Sequence, residues 1–217
     1  ILANAGETLE DFHAKVPGAR FLPDSDNVIP LLEEDWFEDD LYARLKEWLK
    51  VAWGPTTLEQ NLSWLEEALG KDLRKYLARD FYKDHISTYR KRPIYWLFQS
   101  PAGSFQALIY LHRYTADTVG VVLNDYVRQF VAKLEGHRKM LLDQSIDPNA
   151  TQGQKTKALK ELDRVRKQLE DLNDYDRDIL FPLASQRIAL DLDDGVRVNY
   201  PKLGAALKRI PGLEGEE

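Results

Sequence analysis

The residues of this chain able to do acid–base or metal chemistry are scattered. The four histidines, His13, His85, His112 and His137, show no metal-ligand spacing on one helix. Asp84 and His85 are adjacent, so on a helix their side chains point in different directions and make a poor dyad. His137 falls on an apolar stripe, where a structural histidine is the commoner role. Acid pairs such as Asp39-Asp40 and Asp193-Asp194 are too frequent in proteins to imply proton transfer. There is no cysteine, hence no disulfide, thiolate metal site or thiol nucleophile. A phosphate-cradling glycine loop, a dinucleotide glycine fingerprint and a Gly-x-Ser-x-Gly elbow are all missing from the sequence. The expectation is a chain with no catalytic residue, no metal and no cofactor site of its own.

One dense stretch remains, "RKRPIYWLFQSPAGSFQALIYLHRY", residues 90–114. A surface that reads nucleic acid needs cations for phosphates, and flat faces or hydrogen-bonding groups for bases. Arg90, Lys91 and Arg92 lead into Tyr95 and Trp96, while His112 and Arg113 close the return arm. These seven residues are the candidate nucleic-acid contacts. The alternative is a buried β-hairpin in which Tyr95, Leu97, Phe105 and Ile109 pack against helices. One of Tyr95 and Trp96 is expected to be at least partly exposed.

Pro93 bars a helix interior, and Ile94 to Phe98 are strand formers. Ser100 to Gly103 read as a turn, so a hairpin of 93–99 with 104–112 is expected, its second arm also compatible with a helix start. In that hairpin His112 and Arg113 lie near Arg92. Ahead of it, three short helices should form a small bundle. The first starts near Asp35 or Trp36, with Asp35 and Glu38 at capping-box spacing and Leu41, Leu45, Trp48, Leu49 and Ala52 on one face. The second opens at Thr57 and ends at Gly70, and Asp72 caps the third.

Behind the hairpin two long stripes recur at three- and four-residue steps. They are Val119, Leu123, Tyr126, Phe130, Leu134, His137 and Leu141, then Ala158, Leu162, Val165, Leu169, Leu172, Tyr175 and Ile179. With a loop over 145–153 they predict an antiparallel, coiled-coil-like helical hairpin with arms ~40 Å long. Pro182 should kink or end the second arm. Val196, Val198 and Tyr200 read as a short extended element. The fold class is thus mainly α with a small β element. Its expected parts are an irregular entry segment (1–35), a helical bundle plus β-hairpin (36–114), the helical hairpin (115–190) and an extended tail (191–217).

Composition sets the frame. At 217 residues, 43% apolar and 30% charged, the chain is an ordinary globular sequence. No apolar run approaches the ~20 residues of a membrane span, so a soluble, cytoplasmic protein with no membrane partner is expected. The start at Ile1, with Met140 the sole methionine, suggests a piece of a longer protein. The net charge of -6 hides an asymmetry. Eight acidic and no basic residues lie between Asp24 and Asp40, and eight basic residues between Lys71 and Arg92. Either these runs pair with one another, or they mark a phosphate footprint beside an acidic surface.

The stretch "KRPIYWLFQSPAGSFQALIYLHRY" resembles one in the adenine-specific DNA methyltransferases of bacterial BREX phage-defence systems, and in related single-chain restriction–modification enzymes. "VIPLLEEDWFEDDLYARLKEWLK", "LGKDLRKYLARDFYKDH" and "YDRDILFPLASQRIALDLDDGVRVNYPKLGAALKRIPGL" extend the resemblance over nearly the whole chain. It implies a large bacterial parent that moves a methyl group from S-adenosylmethionine to adenine N6, flipping the base from duplex DNA. The hallmark Asn-Pro-Pro-aromatic tetrapeptide and the cofactor's glycine-bearing loop do not occur; Asp147-Pro148 is followed by Asn149 and does not match. The resemblance therefore implies a non-catalytic region C-terminal to the methyltransferase core, positioning DNA or other defence-system proteins. A pure protein-interaction scaffold without DNA contact is the alternative.

Overall fold

The computed structural model of the chain describes residues 9–213, apart from the side chains of Leu9, Phe12 and His13. The expectations placed on residues 1–8 and on His13 lie outside what is described. After α1 (Leu9–Lys15), the chain makes β1 (Val28–Pro30) and the helices α2 (Leu41–Trp53), α3 (Leu58–Leu69), α4 (Leu73–Arg79) and α5 (Phe81–Thr88). β2 (Tyr95–Gln99) and β3 (Gln106–Tyr110) follow. The fold is mainly α with one small antiparallel sheet, as expected.

Local chemistry sets the boundaries. Asp40, and not the Asp35/Glu38 pair, caps α2: its carboxylate accepts the Ala43 N–H at 2.8 Å. The first helix therefore starts about one turn later than the capping-box spacing suggested. Gly70 ends α3 in the left-handed region and Asp72 caps α4 through the Lys75 N–H, both as expected. Thr57 precedes α3 but donates its hydroxyl backwards, to the Trp53 and Gly54 carbonyls. Leu49, Leu62, Leu73 and Leu77 form the bundle's own small core.

β3 is the central strand, flanked by β2 and β1. Tyr95 pairs with Tyr110 and Gln99 with Gln106, giving the predicted hairpin with a strand, not a helix, as its second arm. β1 was not foreseen: three residues inside a segment read as irregular pair Val28 with Ile109 and Pro30 with Ala107. Pro30 fits because this is an edge strand. Asn27 extends the pairing with its side chain, accepting the Tyr110 N–H and donating to the Tyr110 carbonyl, both at 3.0 Å.

The long helical hairpin is present. One rod comprises α6 (Thr118–Val121), a π-helical stretch (Val122–Val127) and α7 (Arg128–Ile146). The other comprises α8 (Gln152–Asp174), a second π-helical stretch (Tyr175–Leu180) and α9 (Phe181–Gln186). Asp117 pairs with Arg187 and Arg128 with Asp176, which fixes the rods as antiparallel. Every stripe residue named above is buried or half-buried, His137 with its ring edge against Trp36. The second rod begins earlier than expected, because Thr151 and Gln154 make a reciprocal capping box. Pro182 does not end it; the helix runs on to Gln186 and stops at Arg187 in the left-handed region. The wide π turn just before it gives the proline ring room against the carbonyl four residues back.

The tail corrects another expectation. Val196 to Tyr200 are not extended but form α10 (Val196–Leu203), whose Asn199, Tyr200 and Leu203 are buried at helical spacing. Asp191 and Gly195 set up the preceding turn, and Val198 faces solvent. The main core runs from Val28 to Leu213 and takes residues from the sheet, both rods and α10.

Candidate functional site

The two charge runs satisfy each other in part, through Arg74 and Arg79. Arg74 bonds Asp35 and the buried Asp40 (2.7 Å), and its guanidinium lies over the Tyr42 ring. Arg79 pairs with Glu33 at 2.5 Å and Arg164 with Glu34 at 2.6 Å. Lys71 turns to Asp80. Of the two sequence readings, pairing with cations describes Glu33, Glu34, Asp35 and Asp40 of the acidic segment.

The tribasic turn is different. α5 ends at Thr88, and Arg90 (φ 50°) and Lys91 (φ 61°) both take left-handed backbone, with Pro93 buried immediately beyond. The Lys91 N–H reaches back to the Ile86 carbonyl and the Arg92 N–H to that of Tyr89. Two consecutive non-glycine residues in this region cost roughly 1–2 kcal/mol each. Such strain persists where surroundings impose it, often at functional positions. Arg90, Lys91 and Arg92 are exposed, and among the described residues none of them is in an ion pair. The Lys91 ammonium donates to the Pro211 carbonyl.

Beside this turn a row of rings crosses the end of the sheet. Tyr89 lies 4.6 Å from His85, His85 5.6 Å from Tyr95, Tyr95 5.3 Å from Tyr110 and Tyr110 5.2 Å from His112, centroid to centroid. Tyr89 is exposed, Tyr95 and His112 are half-buried, and His85 and Tyr110 are buried. The Tyr95 N–H donates to His85 Nε2 at 3.3 Å, which requires a lone pair on that nitrogen. Burial lowers the His85 pKa and keeps the ring neutral. Burial, then the Tyr89 hydroxyl, raises the pKa of Tyr95.

Strand alternation separates the two candidate aromatics. Tyr95 shares a face with the buried Tyr110 and the half-buried Ile29, and is itself half-buried. Trp96 points the other way, 0% exposed, its edge on Tyr200 and its indole N–H on the Pro93 carbonyl. Trp96 is a packing residue, and Tyr95 is the accessible member of the pair. Leu97, Phe105 and Ile109 are core, and Tyr95 packs half-buried at its edge, its ring against His85 of α5.

The ring row borders a cleft of about 590 Å³ on that face, which the sequence did not announce. Phe21, Trp48, Tyr95 and Tyr110 wall it, with Asp24, Arg44 and Arg113 around them. Arg113 does not join Arg92 in a charge cluster; it turns to the 24–25 segment and donates to the Asp24 (2.6 Å) and Ser25 (3.1 Å) carbonyls. Arg44 stacks over Phe21 at 4.5 Å and pairs with Glu47. Trp48, expected on a buried stripe, is 42% exposed. Burial, then a hydrogen bond and repulsion from Asp26, push the Asp24 carboxyl up to about 6. The Tyr126 hydroxyl sits between Asp26 and Asp39, at 2.8 and 2.7 Å, and ties this acidic loop to the first rod. Only Tyr95 and Arg113 of the cleft were legible beforehand.

The hairpin turn is anchored from a distance. Asp171 of α8 accepts from Ser100 Oγ (2.6 Å) and from the N–H groups of Ala102 (2.9 Å) and Ser104 (3.2 Å). Among the described residues no group of three or more His, Cys, Asp or Glu side chains could hold a metal ion, and no helix is long and apolar enough to cross a membrane.

No family model matches the chain. It is 37% identical over 209 residues, 90% of its length, to "Adenine-specific methyltransferase BrxX" of Escherichia coli O9:H4 (strain HS). It is 39% identical over 206 residues, 89% of its length, to "Adenine-specific methyltransferase PglX" of Lacticaseibacillus casei (strain Zhang). The chain spans 17% of the length of each of these relatives. It is homologous to a segment of BREX-type adenine-specific methyltransferases.

Proposed function

We propose that this chain is a non-catalytic, C-terminal segment of a BREX-type adenine-N6 DNA methyltransferase, and that it helps position duplex DNA for the parent enzyme. The carrying observation is the exposed Arg90-Lys91-Arg92 turn, without ion pairs among the described residues and continuous with the ring row that ends at His112. Cations on a rigid turn contact phosphates, and the accessible Tyr95 and Tyr89 faces suit unstacked bases or sugars. We assign no residue of this chain to the methyl donor of such a parent, S-adenosylmethionine. The glycines with positive φ, such as Gly54, Gly70, Gly195 and Gly204, serve helix ends, and no catalytic tetrapeptide is present. Methyl transfer belongs to the rest of the parent, and this chain contributes binding and orientation.

The test is a salt titration of duplex binding. Affinity should fall linearly with the logarithm of salt, and replacing both Arg90 and Arg92 by Ala should reduce the slope by roughly 2. Absence of duplex affinity at low salt removes the DNA role. A second reading, docking of other defence-system proteins, draws on Trp53 and Trp64, 58% and 65% exposed on the small bundle. Crosslinking that maps to those tryptophans, with no salt-sensitive DNA binding, would favour it.

A further inference from the structure

We infer that the cleft beside Tyr95 is a binding site for one nucleotide, a planar amino-heterocycle carrying a phosphate. Its volume of about 590 Å³ lies within the range of small-ligand sites, roughly 300–1,000 Å³. The walls supply aromatic groups, Trp48 and Tyr95, with Phe21 beneath the Arg44 guanidinium. Trp48 stands nearly half exposed at the cleft, its ring in a T-shaped contact with Trp53 at 5.2 Å, and the exposed part of the ring is what the site offers for stacking. Arg113 supplies the anion contact. Carbonyl oxygens orient its guanidinium without neutralising it, and among the described residues no carboxylate pairs with it. Asp24 supplies an acceptor. One of its oxygens takes the Asn27 N–H, and above about pH 6, where it is ionised, the carboxyl only accepts. The site therefore favours heterocycles bearing an exocyclic amine over those presenting only carbonyls on that edge.

This chemistry has two sources, a free nucleotide or an unpaired base on a DNA strand. For the strand the inference rests on the DNA reading above; for the free nucleotide it stands alone. The experiment uses the 217-residue chain and a fluorescent probe, 2-aminopurine deoxynucleoside 5′-monophosphate, with the matching nucleoside as control. A second probe is a duplex with one unpaired 2-aminopurine.

Saturable quenching of the free nucleotide is expected. Trp48→Ala should weaken it about tenfold or more and Trp48→Phe much less. Arg113→Gln should weaken the nucleotide but not the nucleoside. Melting curves of the variants establish that they are folded. Quenching of the duplex probe as well, lost in Trp48→Ala, assigns the ligand to the strand; quenching of the free nucleotide alone assigns it to the free pool. Two results overturn the site: no saturable quenching of either probe, or a folded Trp48→Ala variant that binds like the parent. Should the quenching be absent while the Arg90/Arg92 salt slope persists, the cleft falls and the DNA reading stands. Quenching of the free nucleotide without salt-sensitive duplex binding upholds the cleft and removes the DNA reading.

Discussion

The hairpin that carries Tyr95 is held in place by a carboxylate 67 to 71 residues away in sequence, and removing it gives a calculable loss. Asp171 accepts from the Ser100 hydroxyl at 2.6 Å and from two turn amides at 2.9 and 3.2 Å. Ser100 is fully buried, so in Asp171→Ala its hydroxyl finds no water in exchange, and a hydrogen bond to a charged group is worth about 1.5–3 kcal/mol. Ala102 is exposed and Ser104 half-buried, so water replaces much of what their amides lose, leaving about 0.5–1 kcal/mol each. The sum centres on about 3–4 kcal/mol. With an m-value of about 2–3 kcal/mol/M in urea, the unfolding midpoint should fall by roughly 1–2 M at unchanged m. Asp171→Asn keeps one acceptor but turns an N–H₂ toward donors, and should fall in between. Ser100→Ala in the Asp171→Ala background should cost markedly less than in the parent, giving a coupling of about 1 kcal/mol or more. A midpoint shift below about 0.3 M for Asp171→Ala would refute the anchoring role.

Three further outcomes are expected. Arg74→Ala strands the buried Asp40 carboxylate and should cost about 3 kcal/mol, read as a midpoint shift of about 1 M urea. Arg90→Gly releases left-handed strain and should raise the melting temperature by roughly 2–4 °C while weakening duplex binding; a lower melting temperature would show that the turn is not strained. The lowered His85 pKa means the unfolded chain takes up the proton first. Its stabilising contribution is present above the unfolded value near 6.5 and is lost as the pH falls through it toward the folded value. Asp24, raised to about 6, acts oppositely between its ordinary range and 6, so the profile is best measured in an Asp24→Asn background. There, stability should decline below about pH 6.5 with His85 present, and the decline should vanish in His85→Gln.

The parts legible in the sequence are those written by local periodicity. The stripes from Val119 to Leu141 and from Ala158 to Ile179 recur at helical steps, so their burial follows from spacing alone. The Tyr95–Gln99 and Gln106–Tyr110 strands flank a turn whose Gly103 adopts φ 77°, again a local signal. What stayed hidden depends on tertiary partners. Three residues, Val28 to Pro30, hold no period; they become a strand because β3 offers an edge and Asn27 clamps Tyr110. Val196, Val198 and Tyr200 alternate like a strand, but burying Asn199, Tyr200 and Leu203 together favours a helix. Asp35 and Glu38 match capping-box spacing by chance, whereas Asp40 is fixed by both the Ala43 N–H and Arg74. The cleft brings together Phe21, Arg44 and Trp48 with Tyr95 and Arg113, residues far apart along the chain, and no pattern of spacing announces that.

A chain of net charge -6 would not be chosen as a DNA-binding protein on that number alone, yet the number is the wrong quantity. At physiological ionic strength the screening length is about 8 Å, so a phosphate at the tribasic turn senses the charges beside it and little of the remote surface. Within the basic run, Lys71, Arg74 and Arg79 are bonded to carboxylates and present little net positive charge. Arg90, Lys91 and Arg92 are bonded to none among the described residues, and a strained backbone holds them outward. The Glu33–Arg79 pair lies toward the Gly103 end of the hairpin, away from the tribasic turn, so the cations at the end of the ring row are the dominant local charge there. Removing Arg79 should therefore leave the salt slope of duplex binding unchanged, whereas removing Arg90 and Arg92 should reduce it.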